Sequence, residues 1–500
     1  MTRTGDQLRA EQFRALFEPR GVIVAGASTH PAKFGFTALH NILANGYGGR
    51  VFATNLEGGE ILGVQVATDV ADLPDGQADL VFVCTPAGAN ESLLRACAAK
   101  GVRAAFVTSA GYREAGDEGL AAERRLVGLA EELGILVAGP NGQGLVSTPA
   151  SLCAQIVAPY PPPGRISIAS QSGNFVSSFM NYGVQTGIGV CRAVSAGNAA
   201  ALGIGDLIEW YGEDPATGVA LAYVEGIEDG RAFYQQVRSV TPHKPVVLVK
   251  GGATPGGQRA AASHTGSLAT EGRVFEGAMR QAGATLAEGV EQAYEVAASF
   301  ATQPLPKGPN TVVVTTAGGW GVVTADAVWA SSLRLLPLPD DLKAEIDRRL
   351  PPRWSRNNPV DMAGGETRDT IPEVLDLVAS HPEVDAVVYL GLGIQSNTAR
   401  SLRAGPFYPD HGLERIVAFH ERQDHRFAEA AAAVSESSGK PVLTATELAV
   451  CDPANPGPAT VRGTGRVCYP SANRAVAALD AMWRYARWRQ ARGPGGPGSS

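Results

Sequence analysis

Gly21-Val22-Ile23-Val24-Ala25-Gly26-Ala27-Ser28-Thr29-His30-Pro31-Ala32-Lys33-Phe34-Gly35 decides the architecture. An apolar run rich in β-branched residues ends on a glycine, a short polar loop follows, and residues 36–45 read as a helix. The same grammar recurs. Apolar runs at 51–54, 79–84, 104–108 and 135–138 alternate with helix-compatible stretches. Strands alternating with helices imply βαβ units and a parallel sheet, hence an α/β fold. A Pro-rich break at 159–164 opens a second such series, with strands expected at 165–170, 219–224 and 245–250. Another break at 303–310 opens a third, with strands expected at 311–315, 386–390, 415–419 and 441–443. The chain of 500 residues agrees with about three domains. The reading is 1–158, 159–305 and 306–490, with a disordered Gly/Pro/Ser tail over 491–500.

Composition narrows the function classes. Hydrophobic residues at 44% and charged residues at 18% describe a globular chain able to bury several cores. The 60 glycines and 33 prolines suit many tight strand–helix turns. A net charge of −7 gives no footprint for nucleic acid. No apolar run approaches the length of a membrane span, and residues 1–20 carry no apolar core of a signal peptide. The six cysteines form no CxxC pair, so a reduced, cytoplasmic protein without a metal site is expected.

Three strand–glycine–helix junctions are candidates for anion binding. The first spans 26–35. Ser28 and Pro31 break the GxGxxG pattern, which removes an ordinary dinucleotide fingerprint. Lys33 reads either as a point charge for a phosphate or as a solvated loop lysine. The second is Ser170-Gln171-Ser172-Gly173-Asn174, and the third is Thr316-Ala317-Gly318-Gly319-Trp320-Gly321. A helix start presents N–H groups and the positive end of the peptide dipoles. A plain N-cap or a tight turn explains each sequence locally just as well. Two such starts facing one another would hold a doubly charged phosphoryl group without a side-chain cation. His264 lies in the small-residue run 260–268, downstream of Gly251-Gly252 and Gly256-Gly257. A neutral imidazole in a loop able to swing is a good nucleophile toward phosphorus. The other seven histidines lack this setting and read as structural. Glu225 ends the run 219–224. It reads as a carboxylate that orients a histidine ring, or as a solvated strand-end charge, the commoner case.

Taken together and in order, these pieces resemble the α subunit of NDP-forming acyl-CoA synthetases, the relatives of succinyl-CoA synthetase. The resemblance also rests on Gly139-Pro140-Asn141, 223–231 and Asn358-Pro359-Val360-Asp361, and it covers about 21–488. It implies a Rossmann-like CoA-binding domain followed by two flavodoxin-like ligase domains. It implies that a carboxylate, CoA and ATP give acyl-CoA, ADP and phosphate through an acyl phosphate and a phosphohistidine. His264 matches that histidine and Glu225 the glutamate that orients it. Ser172, Gly173 and Asn174, with Gly318, Gly319 and Gly321, match the two phosphate-binding helix starts. Gly26, Ser28, Lys33, Gly35, Thr85, Pro86 and Asn141 match the CoA site. Two departures stand out: Gly142 replaces the usual Cys after Gly-Pro-Asn, and Trp320 replaces a small residue or Pro. No ATP-grasp domain is expected after Trp488. A separate ATP-grasp β subunit would then hold ATP or ADP with Mg2+, most simply as an α2β2 assembly. The competing readings are a non-catalytic acyl-CoA-binding or regulatory protein on this scaffold, and a nicotinamide dehydrogenase, which the missing GxGxxG disfavours.

Overall fold

The computed structural model describes residues 5–157, 159–254, 256, 257, 259, 272–362 and 369–492. The chain forms two compact units, Met1–Gln185 with Gly189–Ala293, and Thr186–Ile188 with Tyr294–Ser500.

The first unit holds two sheets. The first sheet contains β1 (Gly21–Ala25), β2 (Arg50–Thr54), β3 (Gly59–Ile61), β4 (Val64–Ala67), β5 (Leu80–Val83), β6 (Ala104–Val107) and β7 (Leu136–Ala138). Their order is β3-β4-β2-β1-β5-β6-β7, parallel throughout except for the β3–β4 pair. From β4 to β7 this is the Rossmann order, and it reverses between β1 and β5. Both faces are covered. Val22 and Val24 point into one core and Ile23 and Ala25 into the other, as period-two alternation in a doubly covered sheet requires. Each large side chain buried this way contributes about 1.5–3 kcal/mol.

The second sheet contains β8 (Gly144–Ser147), β9 (Leu152–Gln155), β10 (Pro163–Ser170), β11 (Val190–Ser195), β12 (Val219–Val224), β13 (Val246–Lys250) and β14 (Thr285–Ala287). Its order is β14-β13-β12-β10-β11-β8-β9. Strands β10 to β14 are parallel in the flavodoxin-like order, with the reversal between β10 and β12. The antiparallel pair β8–β9 precedes residue 158 in sequence yet extends this second sheet through β11. Strand β11 was not legible in the sequence because Arg192 interrupts its apolar run. That guanidinium is only 2% exposed. It is neutralised by Glu18 at 2.5 Å and Asp214 at 3.4 Å, hydrogen-bonded to Ser147, and laid over the Phe17 and Trp210 rings.

The second unit carries β15 (Asn310–Thr315), β16 (Arg334–Leu335), β17 (Val360–Asp361), β18 (Ala386–Leu390), β19 (Val442–Ala445) and β20 (Cys468–Tyr469). The order β16-β15-β18-β19-β20, with β17 also on β15, is parallel and reverses between β15 and β18. The strand expected at 415–419 is instead part of the helix Leu413–Ser438, bounded by Gly412 and Gly439, both left-handed. The run Ile-Val-Ala-Phe is apolar enough for a strand. However, the buried residues Val417, Phe427, Ala428, Ala431 and Val434 keep one helical stripe through the segment, and that stripe decides it. No helix among the described residues is long and apolar enough to cross a membrane.

Candidate active site

In open α/β sheets, ligands bind beyond the carboxyl ends of the strands where the order reverses. Each of the three sheets has one such point, and the sequence candidates fall on all three.

At the first, the turn after β1 meets the end of β5. Gly26 has φ +81°, and a Cβ there would stand 2.9 Å from the Cys84 carbonyl. A Cβ on Gly35 would stand 2.0 Å from the Gly26 carbonyl oxygen. Gly26 therefore lets the turn lie against the end of β5, and Gly35 lets the helix Phe34–Ala44 press onto the turn. The loop between them is self-braced: His30 N–H donates to Ser28 Oγ and Ala32 N–H to His30 Nδ1, each at 3.1 Å. Lys33 is the exposed residue capping that helix, whose first turn contains no acid. Thr85 Oγ donates to Asn90 Oδ1 at 2.9 Å, and Asn90 Nδ2 donates to Ser109 Oγ and Tyr112 OH. Asn141 N–H donates to Ser109 O at 3.0 Å. This network ties the ends of β5, β6 and β7 together, and Asn90, Ser109 and Tyr112 were missed in the sequence. Burial pushes the Cys84 thiol up to about 12, which leaves it un-ionised at neutral pH.

At the second, the turn after β10 meets the end of β12. Ser170 Oγ accepts from Ser172 N–H at 3.1 Å and donates to Ser172 O at 2.7 Å, closing the turn just before the helix Gly173–Thr186. Gln171 splices this turn to Glu225. Its Oε1 accepts from the N–H groups of Glu225 (2.6 Å) and Gly226 (3.1 Å), and its Nε2 donates to Gly226 O (3.0 Å). Glu225 is 8% exposed. Tyr223 stacks on Phe175 with centroids 3.7 Å apart. Burial first, then the Glu225 charge and a hydrogen bond to it, hold the Tyr223 hydroxyl well above its ordinary range, so it stays a donor. Lys250 Nζ donates to Glu225 O at 2.7 Å and also to Gly251 O. Burial lowers its pKa against the opposing pull of Glu225. A Cβ on Gly251 would stand 2.4 Å from the Tyr223 hydroxyl oxygen, so a side chain here would displace that hydroxyl. Gln171, Tyr223 and Lys250 all flank the motifs in the sequence, but nothing in their local pattern assigns them.

At the third, the turn after β15 copies the second. Thr315 Oγ accepts from Ala317 N–H and donates to Ala317 O, both at 2.9 Å, just before the helix Gly318–Trp329. Gly319 is exposed, with nothing within 4 Å of a Cβ position. A Cβ on Gly321 would come to 3.0 Å from Thr315, so the helix lies close on its strand. The Asp361 carboxylate borders Gly318, and Thr316 meets Gly391 at the end of β18.

Gly142 is enforced by the backbone: a Cβ there would stand 2.3 Å from Ser195 O and 2.7 Å from the buried Phe106 ring. The next side chain, Gln143, lies against Gly173 and Ser177 in the helix Gly173–Thr186. A Cβ on Gly173 would meet it at 2.2 Å, and Ser177 Oγ donates to its Oε1 at 3.4 Å. His264 lies outside the described residues.

Comparison with known proteins agrees with this layout. Residues 20–147 match a CoA binding domain, 163–300 a succinyl-CoA ligase-like flavodoxin domain, and 311–395 a ligase-CoA domain. The α subunit of ADP-forming acetate–CoA ligase I of Pyrococcus furiosus is 31% identical over 481 residues, covering 95% of this chain and 98% of that one. The α subunit of ligase II from the same organism is 35% identical over 372 residues, covering 74% and 80%. Among solved structures, dinucleotide-forming acetyl-coenzyme A synthetase 1 of Ca. Korarchaeum cryptofilum, in complex with phosphate and ADP, superposes with a TM-score of 0.82. It is 30% identical and covers 96% of this chain and 98% of its own. The chain belongs to the family of ADP-forming acyl-CoA synthetase α subunits, within the succinyl-CoA synthetase-like superfamily.

Proposed function

We propose that this chain is the subunit of an acid–thiol ligase that carries the acyl and phosphoryl steps. ATP phosphorylates His264 and ADP leaves. The carboxylate takes the phosphoryl group, giving an acyl phosphate and free imidazole. The CoA thiol displaces phosphate and forms the thioester. The CoA site comprises Gly26, Ser28, Lys33, Gly35, Thr85, Pro86 and Asn141. Close backbone approach at Gly26 and Gly35, beside a helix start without acidic residues, suits the phosphates of CoA. Ser172, Gly173 and Asn174 form one phosphoryl cradle and Gly318, Gly319 and Gly321 the other. Glu225 accepts the second ring N–H of His264, which fixes the tautomer and supports the charge of the phosphorylated ring. Positioning and oriented dipoles are the main means of phosphoryl transfer, and they need no strongly hydrated cation. The partner is a separate ATP-grasp β subunit holding ATP and Mg2+, in an α2β2 assembly in the cytoplasm.

The observation that carries this reading is the splice at the second reversal point. Gln171 holds the cradle turn and the Glu225 backbone in one rigid piece. The test is product analysis of the chain with its partner subunit, a carboxylic acid, CoA and ATP. ADP, phosphate and thioester in equal amounts, all lost in His264→Ala, support it. CoA binding without turnover would support the non-catalytic reading instead. AMP and pyrophosphate, or unchanged turnover in His264→Ala, would overturn it.

A further inference from the structure

The carboxyl edges of the first and second sheets are joined by a polar clasp that the chemistry above leaves unused. From the first sheet come Arg113 and Glu114, in the loop after β6, and Glu123, in the helix Asp117–Leu133. From the second come Asn198, after β11, and Glu228, three residues beyond Glu225. Arg113 Nε bonds Glu123 Oε1 at 2.5 Å, and its Nη1 reaches Glu228 Oε1 at 2.9 Å. Asn198 Nδ2 donates at 2.7 Å to both Glu114 Oε2 and Glu123 Oε2, and Asn141 Nδ2 donates to Asn198 Oδ1 at 3.4 Å. The backbone follows the same seam: Asn198 N–H donates to Pro140 O at 2.9 Å and Ala200 N–H to Gly139 O at 3.1 Å. The Glu123 carboxylate is 2% exposed and is matched from both sheets, by Arg113 on its own side and Asn198 from the other.

We propose that Arg113 and Asn198 are positioning residues for thioester formation. They hold the edge that carries Asn141 in register with the edge that carries Glu225. The proposal rests on the assignment of those two edges to CoA and to the acyl phosphate. In that step a C–S bond forms between the CoA sulfur and the acyl carbon, the acyl C–O bond to phosphate breaks, and the thiol proton ends on the departing phosphate. Sulfur and carbon must meet within about 3–3.5 Å, and about 1 Å of misplacement can cost about 100-fold. Phosphorylation of the histidine needs only the second edge on this unit, so the clasp does not affect it.

The full chain is given 32P-labelled acetyl phosphate, first alone to follow label entering the protein, then with CoA to follow acetyl-CoA. Arg113→Gln and Asn198→Ala are expected to lower kcat for acetyl-CoA by about 10–100-fold. KM for CoA and the labelling rate should each stay within about threefold. Arg113→Lys, which cannot span Glu123 and Glu228 with one fork, should fall between. Glu228→Gln, at an exposed position, should lower acetyl-CoA formation and add nothing to Arg113→Gln in the double variant. Equal loss of labelling and thioester formation would mean a merely structural role and overturn the clasp. So would unchanged thioester formation in Arg113→Lys and Glu228→Gln. If the unsubstituted chain makes acetyl-CoA from acetyl phosphate but takes no label, the phosphohistidine reading fails, and the acetyl-CoA rates still decide the clasp.

Discussion

Gly35→Ala separates a close-packed ligand turn from an ordinary helix start. In an exposed helix, Gly to Ala stabilises by about 0.5–1 kcal/mol, because glycine loses more backbone entropy on folding. Position 35 should show the opposite sign. A Cβ would stand 2.0 Å from Gly26 O, 2.8 Å from Gly26 C and 2.9 Å from Ala27 Cα, and all three are backbone atoms with no rotamer to yield. Restoring an ordinary contact requires the helix Phe34–Ala44 to retreat by about 1.4 Å. Overpacking of this kind costs about 1–3 kcal/mol. At about 2–4 °C per kcal/mol for a unit of this size, the melting temperature should drop by several degrees. The retreat also carries the helix N-terminus away from the turn, so CoA affinity should fall by about tenfold or more. Thermal melts with and without CoA, and calorimetric titration with CoA, measure both. A Gly35→Ala chain that melts higher than the parent and binds CoA equally would refute the close approach and the placement of CoA beside it.

Glu225→Gln keeps the shape of the side chain but removes its charge, so histidine phosphorylation should slow by about 100-fold or more while CoA binding is unchanged, as read by labelling rate and calorimetry. Tyr223→Phe keeps the stack on Phe175 but removes the hydroxyl beside Glu225. Loss of one hydrogen bond to a charged group is worth about 1.5–3 kcal/mol, so labelling should slow by about 10–100-fold. Gly142→Cys installs the residue that the resemblance leads one to expect after Gly139-Pro140-Asn141. In this backbone it should destabilise the first unit by about 1–3 kcal/mol, seen as a lower urea midpoint, because Ser195 O and the Phe106 ring occupy its space. Glu114 is part-buried, which opposes its charge. Hydrogen bonds from Asn198 and from the Gly111 and Tyr112 N–H groups outweigh this and hold its carboxyl below the usual range. Its contribution is therefore complete above about pH 4.3 and is lost as pH falls through the lowered folded value. Urea midpoints of Glu114→Gln should accordingly change less between pH 7 and pH 4 than those of the parent chain.

The reversal points were the legible part of the fold, because each is written locally: a β-branched run, a small polar turn and a helix start. The matching hydroxyl closures at Ser170 and Thr315 explain why two distant stretches read alike. What was hidden depends on contacts distant in sequence. Arg192 looks like a break in a strand until Glu18, Asp214 and Ser147 surround it. The run at 415–419 carries an apolar signal too short to separate strand from helix. Gly142 reads as a lost side chain until Ser195 O is seen where its Cβ would stand. Gln171, Tyr223 and Lys250 are polar neighbours of recognisable motifs, and only the pairing of β10, β12 and β13 brings them onto Glu225. The clasp of Arg113 and Asn198 joins residues 85 positions apart and carries no sequence signal.

The central claim is that one imidazole ferries the phosphoryl group. Mapping the phosphate by mass spectrometry after incubation of the chain, the proposed partner subunit and γ-labelled ATP tests it most directly. The account predicts acid-labile, base-stable label on the peptide containing His264, discharged by a carboxylic acid with CoA. Label on a carboxylate, base-labile and cleaved by hydroxylamine, with the His264 peptide unmodified, would contradict it.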